Sequence, residues 1–387
     1  MNRLLRWLTI FCVLAPAWQA QSVLTDATVY NRRALLLSND KLELAIATQG
    51  GSIIRLLIKG DAGKISPFGN PELVPAVPDD RKLQGPMVGH FVCVDGFGPA
   101  SPEERAAGMP MHGEAYLQPW EVVDSAKRGA TTTVKFRVQL PLVQETLTRT
   151  LQMVDGENVV YVDSELESLV AFDRQVSWGE HPYLFPPFLE PENTVMDMSG
   201  TRARTRQYAE TTGPQRREMA SNQEFTWPMA PSRTGGLIDL RAARRNADTT
   251  GHSTTLMDPS RKFAFVTVMN TARRLILGYL FRREEFPYLE SYWNYTPDLW
   301  LARSAEFATQ PFDMPRRQVP DTRSMFDMPV SRWLPAKSKI SSRFLMFYVA
   351  TPEGMTKVDD VRLEDGKIVV EDRRAGKRIV IAASQTL

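Results

Sequence analysis

Strict alternation is the feature that most limits the shapes open to this chain. Val134, Phe136, Val138 and Leu140 are separated by Lys135, Arg137 and Gln139, and Leu42, Leu44 and Ile46 repeat the same spacing. A period of two places one set of side chains on a buried face and the other in water, the pattern of a half-buried strand. Val160 and Val162, Phe263 and Phe265, and Ile276 and Leu277 mark further short apolar runs. Turn-forming pairs, Gly50-Gly51, Asp155-Gly156 and Asp365-Gly366, recur between them. Helical spacing is scarce: residues 101–108 and 240–246 support one short helix each at most. The expectation is an all-β chain, folded as one large antiparallel β-sandwich over residues 21–350. All-β sandwiches often run to this length as a single unit, and no linker-like stretch divides it. Residues 351–387 are more highly charged. With Asp365-Gly366 and Ala375-Gly376 as hairpin turns, they read as a C-terminal β appendage.

Residues 1–20 have the layout of a secretory signal. Arg3 and Arg6 precede a short apolar run to Leu14, followed by the small-residue segment Ala15-Pro16-Ala17. The run is too short to span a bilayer core of ~30 Å, so stable membrane insertion is not expected and the mature chain is expected to be periplasmic or secreted. Loss of Arg3 and Arg6 takes the formal net charge from +2 to zero, leaving no basic surplus to recruit nucleic acid. Cys12 leaves with the leader, and Cys93 alone cannot form an intrachain disulfide.

Four histidines stand in the sequence, His90, His112, His181 and His252. His181 lies in Trp178-Gly179-Glu180-His181-Pro182-Tyr183-Leu184-Phe185, where Pro182 drives it towards extended geometry. A side chain on an extended segment points cleanly to one face, and an imidazole exchanges protons near neutrality. Glu306 is flanked by Ala305 and Phe307, an apolar setting in which a carboxylate without a purpose is costly. Glu180 and Glu290 are rivals for a carboxylate role, but Glu180 alternates to the face opposite His181 if that segment is a strand. His90 and His252 are expected to be structural or surface residues.

Several segments together resemble the aldose 1-epimerase (galactose mutarotase-like) family. They are Gly50-Gly51-Ser52-Ile53-Ile54, His112-Gly113 followed by Trp120-Glu121-Val122, His181-Pro182-Tyr183-Leu184, and Glu306 with Thr309 and Pro311. They follow the family's order across residues 30–350. Where the family has an early arginine-bearing loop, this chain has Gly89 to Pro99. The resemblance implies a galactose mutarotase-like supersandwich and interconversion of the α and β anomers of a sugar. It also implies His181 as general acid, Glu306 as general base and His112 as a group polarising the substrate. Tyr183 and either Trp293 or Trp300 would stack on the sugar's apolar face, although core packing is the commoner use of such rings. Family members acting on hexose phosphates resemble HGFAR at the His112 segment. Glu114 and Tyr116 here favour a neutral aldose.

Mutarotation needs an acid and a base and no metal, nucleotide or other cofactor, and the sequence has no metal-ligand spacing or phosphate-binding glycine loop. The expected partner is a small-molecule carbohydrate. A non-catalytic carbohydrate-binding or envelope-glycan protein on the same fold is the competing function, and a polysaccharide lyase or hydrolase is a third. Only an enzyme needs the acid–base pair. The sequence leaves the sugar, the oligomeric state and the role of the tail open.

Overall fold

The computed structural model describes residues 23–69, 87–208, 216–242, 244, 248–295 and 301–387. The expected leader and Trp300 lie outside these residues. Two large antiparallel sheets face each other. In the centre of the twelve-stranded sheet lie, in spatial order, Ile53–Ile58, His90–Val94, Trp178–Leu184, Leu301–Ser304, Tyr288–Tyr295 and Thr249–Met257. The short strand Glu306–Ala308 pairs with both Trp178–Leu184 and Tyr288–Tyr295. The eight-stranded sheet runs Thr194–Met198, Phe263–Asn270, Leu275–Arg282, Lys339–Ala350, Val159–Ser168, Glu145–Val154, Thr131–Leu140 and Glu121–Arg128. The chain is therefore an all-β antiparallel sandwich.

Alternation sets which face each residue takes. Val134, Phe136, Val138 and Leu140 all enter the core between the sheets, where they meet Leu42, Leu44, Ile46, Trp178 and Phe307. The helix expected within 101–108 forms at Pro102–Ala106, with Ser101 and Glu104 in a reciprocal capping box. The described residues of 240–246 are not helical. Ala242 forms a bridge with Val195, and the carbonyls of Leu240 and Arg241 accept from the buried Arg303 guanidinium at 2.5 and 2.7 Å. Those carbonyls are committed to a side chain and not to a helical ladder.

Several strands of the smaller sheet are apolar on both faces, and the tail explains why. Asp360–Glu364, Lys367–Asp372 and Lys377–Ala382 form a three-stranded sheet. Its Val361, Ile368, Val370, Ile379 and Ile381 pack on Val159, Tyr161, Phe265, Ile276, Leu280, Leu345 and Phe347 of the eight-stranded sheet. The first hairpin turns at Asp365 and Gly366, with φ 48° and 70°, the two left-handed positions that a two-residue hairpin favours. No helix among the described residues is long and apolar enough to cross a membrane.

Candidate functional site

The outer face of the twelve-stranded sheet carries a cavity of about 290 Å³ lined by Met87, Phe91, Met111, His112, His181, Tyr183, His252, Tyr292, Glu306 and Asp313. Strand parity selects most of them. His181 and Tyr183 project from Trp178–Leu184, while Trp178 and Glu180 turn inward. There the Glu180 carboxylate accepts from Arg149 at 2.5 Å and from the Trp178 indole at 3.1 Å. His90 also turns inward, 3.1 Å from Glu180, and is structural.

Phe91, paired with His181 across the ladder, stacks on its imidazole with centroids 4.2 Å apart and planes 21° from parallel. His181 Nε2 lies 3.3 Å from Glu306 Oε1. The Ser304 hydroxyl donates to the same carboxylate oxygen. His181 Nδ1 is buried with no hydrogen-bond partner among the described residues.

His112 reaches the cavity from a tight loop. It takes a left-handed conformation, φ 61°, uncommon for a residue with a Cβ. Gly113 follows at φ 78°, where a Cβ would stand 2.5 Å from the Val94 carbonyl oxygen. The Gly98 amide donates to His112 Nδ1 at 3.1 Å, which leaves Nε2 as the protonated nitrogen of the neutral ring. The His112 and His181 rings meet edge to face at 5.3 Å.

Burial dominates the electrostatics. It lowers His112 to about 4, so this ring is a neutral donor at neutral pH. It lowers His181 well below its ordinary value, with help from His112. It raises Glu306 to about 8, against the Ser304 hydrogen bond and the Arg206 charge.

The opposite wall contains residues the sequence did not single out. His252, expected to be structural or at the surface, lines the cavity, because it sits directly across the ladder from Tyr292 and shares its face. Its Nδ1 lies 2.8 Å from Arg206 Nη1 and 3.5 Å from Asp313 Oδ1. Arg206 also contacts the Asp313 carboxylate and donates to the Asp313 carbonyl at 3.0 Å. The parity of Thr249–Met257 was the only sequence signal for His252, and Asp313, in a loop, had none.

Trp293, proposed as a stacking platform, is not in the cavity. It follows Tyr292 by one residue and so faces away, packing with Leu189, Ile238, Tyr295 and Leu301. Glu114 also points elsewhere: its carboxylate accepts from the amides of Leu142 and Val143 at 3.0 and 3.1 Å and fixes that turn. Arg303 is committed to the Leu240 and Arg241 carbonyls. Trp300 falls outside the described residues.

No protein-family model matches the chain, and no curated protein sequence does. Solved structures do. A galactose mutarotase-like protein from Clostridium acetobutylicum is 13% identical, with a TM-score of 0.59 over 85% of this chain and 99% of that one. A galactose mutarotase related enzyme from Lactobacillus acidophilus is 13% identical, with a TM-score of 0.55 over 84% and 99%. A candidate aldose 1-epimerase from Klebsiella pneumoniae is 13% identical, with a TM-score of 0.57 over 85% and 82%. At such identity the likeness is one of architecture, and in architecture this chain is a galactose mutarotase-like β-sandwich.

Proposed function

We propose that this protein is an exported aldose 1-epimerase that interconverts the anomers of a neutral sugar. The observation that carries the reading is the contact between His181 and Glu306 on the wall of a cavity large enough for a pyranose. The two oxygens that exchange protons in mutarotation, the anomeric hydroxyl and the ring oxygen, share one carbon. An acid and a base serving them must therefore be near neighbours, as His181 Nε2 and Glu306 Oε1 are at 3.3 Å. Glu306 takes the proton of the anomeric hydroxyl while His181 protonates the ring oxygen, and the C1–O5 bond breaks to give the aldehyde. After rotation about C1–C2, O5 attacks the other face of the carbonyl. His181 recovers its proton and Glu306 returns one to O1, so the pair is reset without a cofactor. The neutral His112 ring, with its proton on Nε2, supplies a hydrogen bond to an oxygen gaining negative charge. Tyr183, Tyr292 and Phe91 give the cavity the apolar surface that suits a pyranose face.

Polarimetry of freshly dissolved α-glucose or α-galactose tests the reading. Equilibration should accelerate with the wild-type protein and lose most of that acceleration in His181→Asn and Glu306→Gln. A wild-type protein inactive across monomeric and short oligomeric aldoses would leave a carbohydrate-binding protein on the same fold.

A further inference from the structure

Glu290 is buried completely and does not line the cavity; among the described residues neither of its carboxylate oxygens makes a well-formed hydrogen bond, although His252 Nε2 approaches Oε1. It stands directly opposite Glu306 in the ladder between Tyr288–Tyr295 and Glu306–Ala308. Side chains so placed share a face, with Cβ atoms ~5 Å apart. Two carboxylates in one dry site cannot both be ionised cheaply.

Their surroundings differ in a way that divides the roles. Glu306 has the Ser304 hydroxyl and the His181 imidazole against it. Against Glu290 stands His252 Nε2, 3.0 Å from its Oε1. The Arg206 guanidinium, always a donor, lies 2.8 Å from His252 Nδ1, so the neutral ring carries its proton on Nε2, facing Glu290. The charged and titratable groups around Glu290 are thus Glu306, His252, Arg206 and Asp313, with Tyr292 beside it on the same strand, and Tyr208 and Cys93 felt through space.

We propose that Glu290 is a positioning residue that pairs with Glu306 as a carboxyl dyad, in which Glu290 keeps its proton at neutral pH so that Glu306 is the member free to exchange one. The direction of the Glu290 shift agrees: burial first, and then the Glu306 charge, push it well above the ordinary carboxylate range. The same cluster, His252, Glu290 and Asp313, has donor atoms within 4.8 Å of one another, a spacing that also suits a divalent cation. Arg206 opposes that use, because a metal on Nε2 needs the proton on Nδ1, where the guanidinium stands. The catalytic consequence of the dyad rests on the epimerase reading; its protonation does not.

The experiment compares the full chain with Glu290→Gln, which mimics the protonated acid, and with Glu290→Met, similar in shape and without polar atoms. Urea unfolding between pH 5 and pH 8 gives a readout independent of activity. A native state that keeps a proton the unfolded chain has released is favoured at low pH and loses stability as pH rises. The wild-type folding constant should therefore fall up to tenfold more per pH unit than that of either variant. In polarimetry, Glu290→Gln, which keeps a neutral polar group beside Glu306, should lower kcat by less than about tenfold, and Glu290→Met, which does not, by roughly tenfold or more, with KM changed less than about threefold in both. Equal pH slopes in wild type and both variants would overturn the dyad. So would a loss in Glu290→Gln as deep as that of Glu306→Gln, which would make Glu290 a reacting group. A rise in wild-type melting temperature with Ca²⁺, Mn²⁺ or Zn²⁺ that Glu290→Gln abolishes would also overturn it, in favour of a metal site. A wild-type protein inactive on aldoses that still shows the slope difference would sink the epimerase reading and leave the dyad standing.

Discussion

His181 Nε2 and Glu306 Oε1 face each other at 3.3 Å with almost no solvent access, and between them they hold one proton at neutral pH. Burial pushes the two groups in opposite directions, so in the ligand-free protein that proton rests on the carboxyl. In the proposed reaction, a sugar hydroxyl donating to Glu306 would favour its ionised form and send the proton across to His181, arming both groups at once.

The first prediction follows from this sharing. His181→Asn and Glu306→Gln should each cost about 10²–10⁴-fold in kcat, the range of one proton-transfer role. The double variant should be little worse than either single one, because the pair acts as a unit. Wild-type activity should decline as pH rises through about 8, where the couple loses its proton. Polarimetry across pH checks both points, and additive losses in the double variant would separate the two residues.

His112 gives a second prediction, on stability. Its folded value of about 4 lies below the ordinary histidine value of 6.5, so the unfolded chain takes up a proton that the folded one refuses. The contribution is complete above pH 6.5 and is lost as pH falls towards 4, amounting to ~2 kcal/mol between pH 7 and pH 5. Urea titrations of wild type and His112→Asn at those two values should show the variant losing less stability on acidification. Parallel losses would mean that His112 is protonated in the folded state.

Charge selection is the third prediction. No Arg or Lys is among the described residues lining the cavity, and the permanent cation beside it, Arg206, is already in contact with Asp313. Glucose should therefore be anomerised with at least ~10-fold higher kcat/KM than glucose 6-phosphate, about 1.4 kcal/mol. Equal or faster turnover of the phosphate would show that a cationic group outside the described residues completes the pocket.

A fourth prediction concerns the tail. Ile368 is fully buried against the back of the eight-stranded sheet. Ile368→Ala should cost ~2–5 kcal/mol of stability in urea while leaving kcat within twofold or so, because the cavity is on the opposite sheet. A cost under about 0.5 kcal/mol would mean that the tail does not pack on the sandwich in solution.

The fifth prediction concerns export. If the leader is cleaved in the native host, mass spectrometry of the mature protein should find Trp18 or Gln21 at its amino terminus. An intact Met1 in a cytosolic fraction would rule out export.

The fold was legible where one face of a strand is wet. Lys135, Arg137 and Gln139 announce the inward parity of their neighbours, whereas Val159 to Val162 read as a continuous apolar run because the tail covers their outer face. In the site, Pro182 and the neighbours of Glu306 gave local cues. His252 gave only its strand parity, since its role depends on which strand lies beside it. Trp293 shows how narrow the margin is: one residue of parity separates it from Tyr292 on the cavity wall. Glu114 looked chemical from its place beside His112-Gly113 and proved to cap a distant turn, a contact across 28 positions.

The strand carrying His181 lies between one that begins at His90 and others that begin at Leu301 and Glu306. The candidate site thus joins segments drawn from more than two hundred positions of chain, and every join is a long loop closed at an entropic cost before any contact repays it. No single hairpin contains the acid, the base and their supporting rings. If the epimerase reading holds, turnover is consequently an all-or-none report on completed folding, and partly folded chains, however compact, are silent.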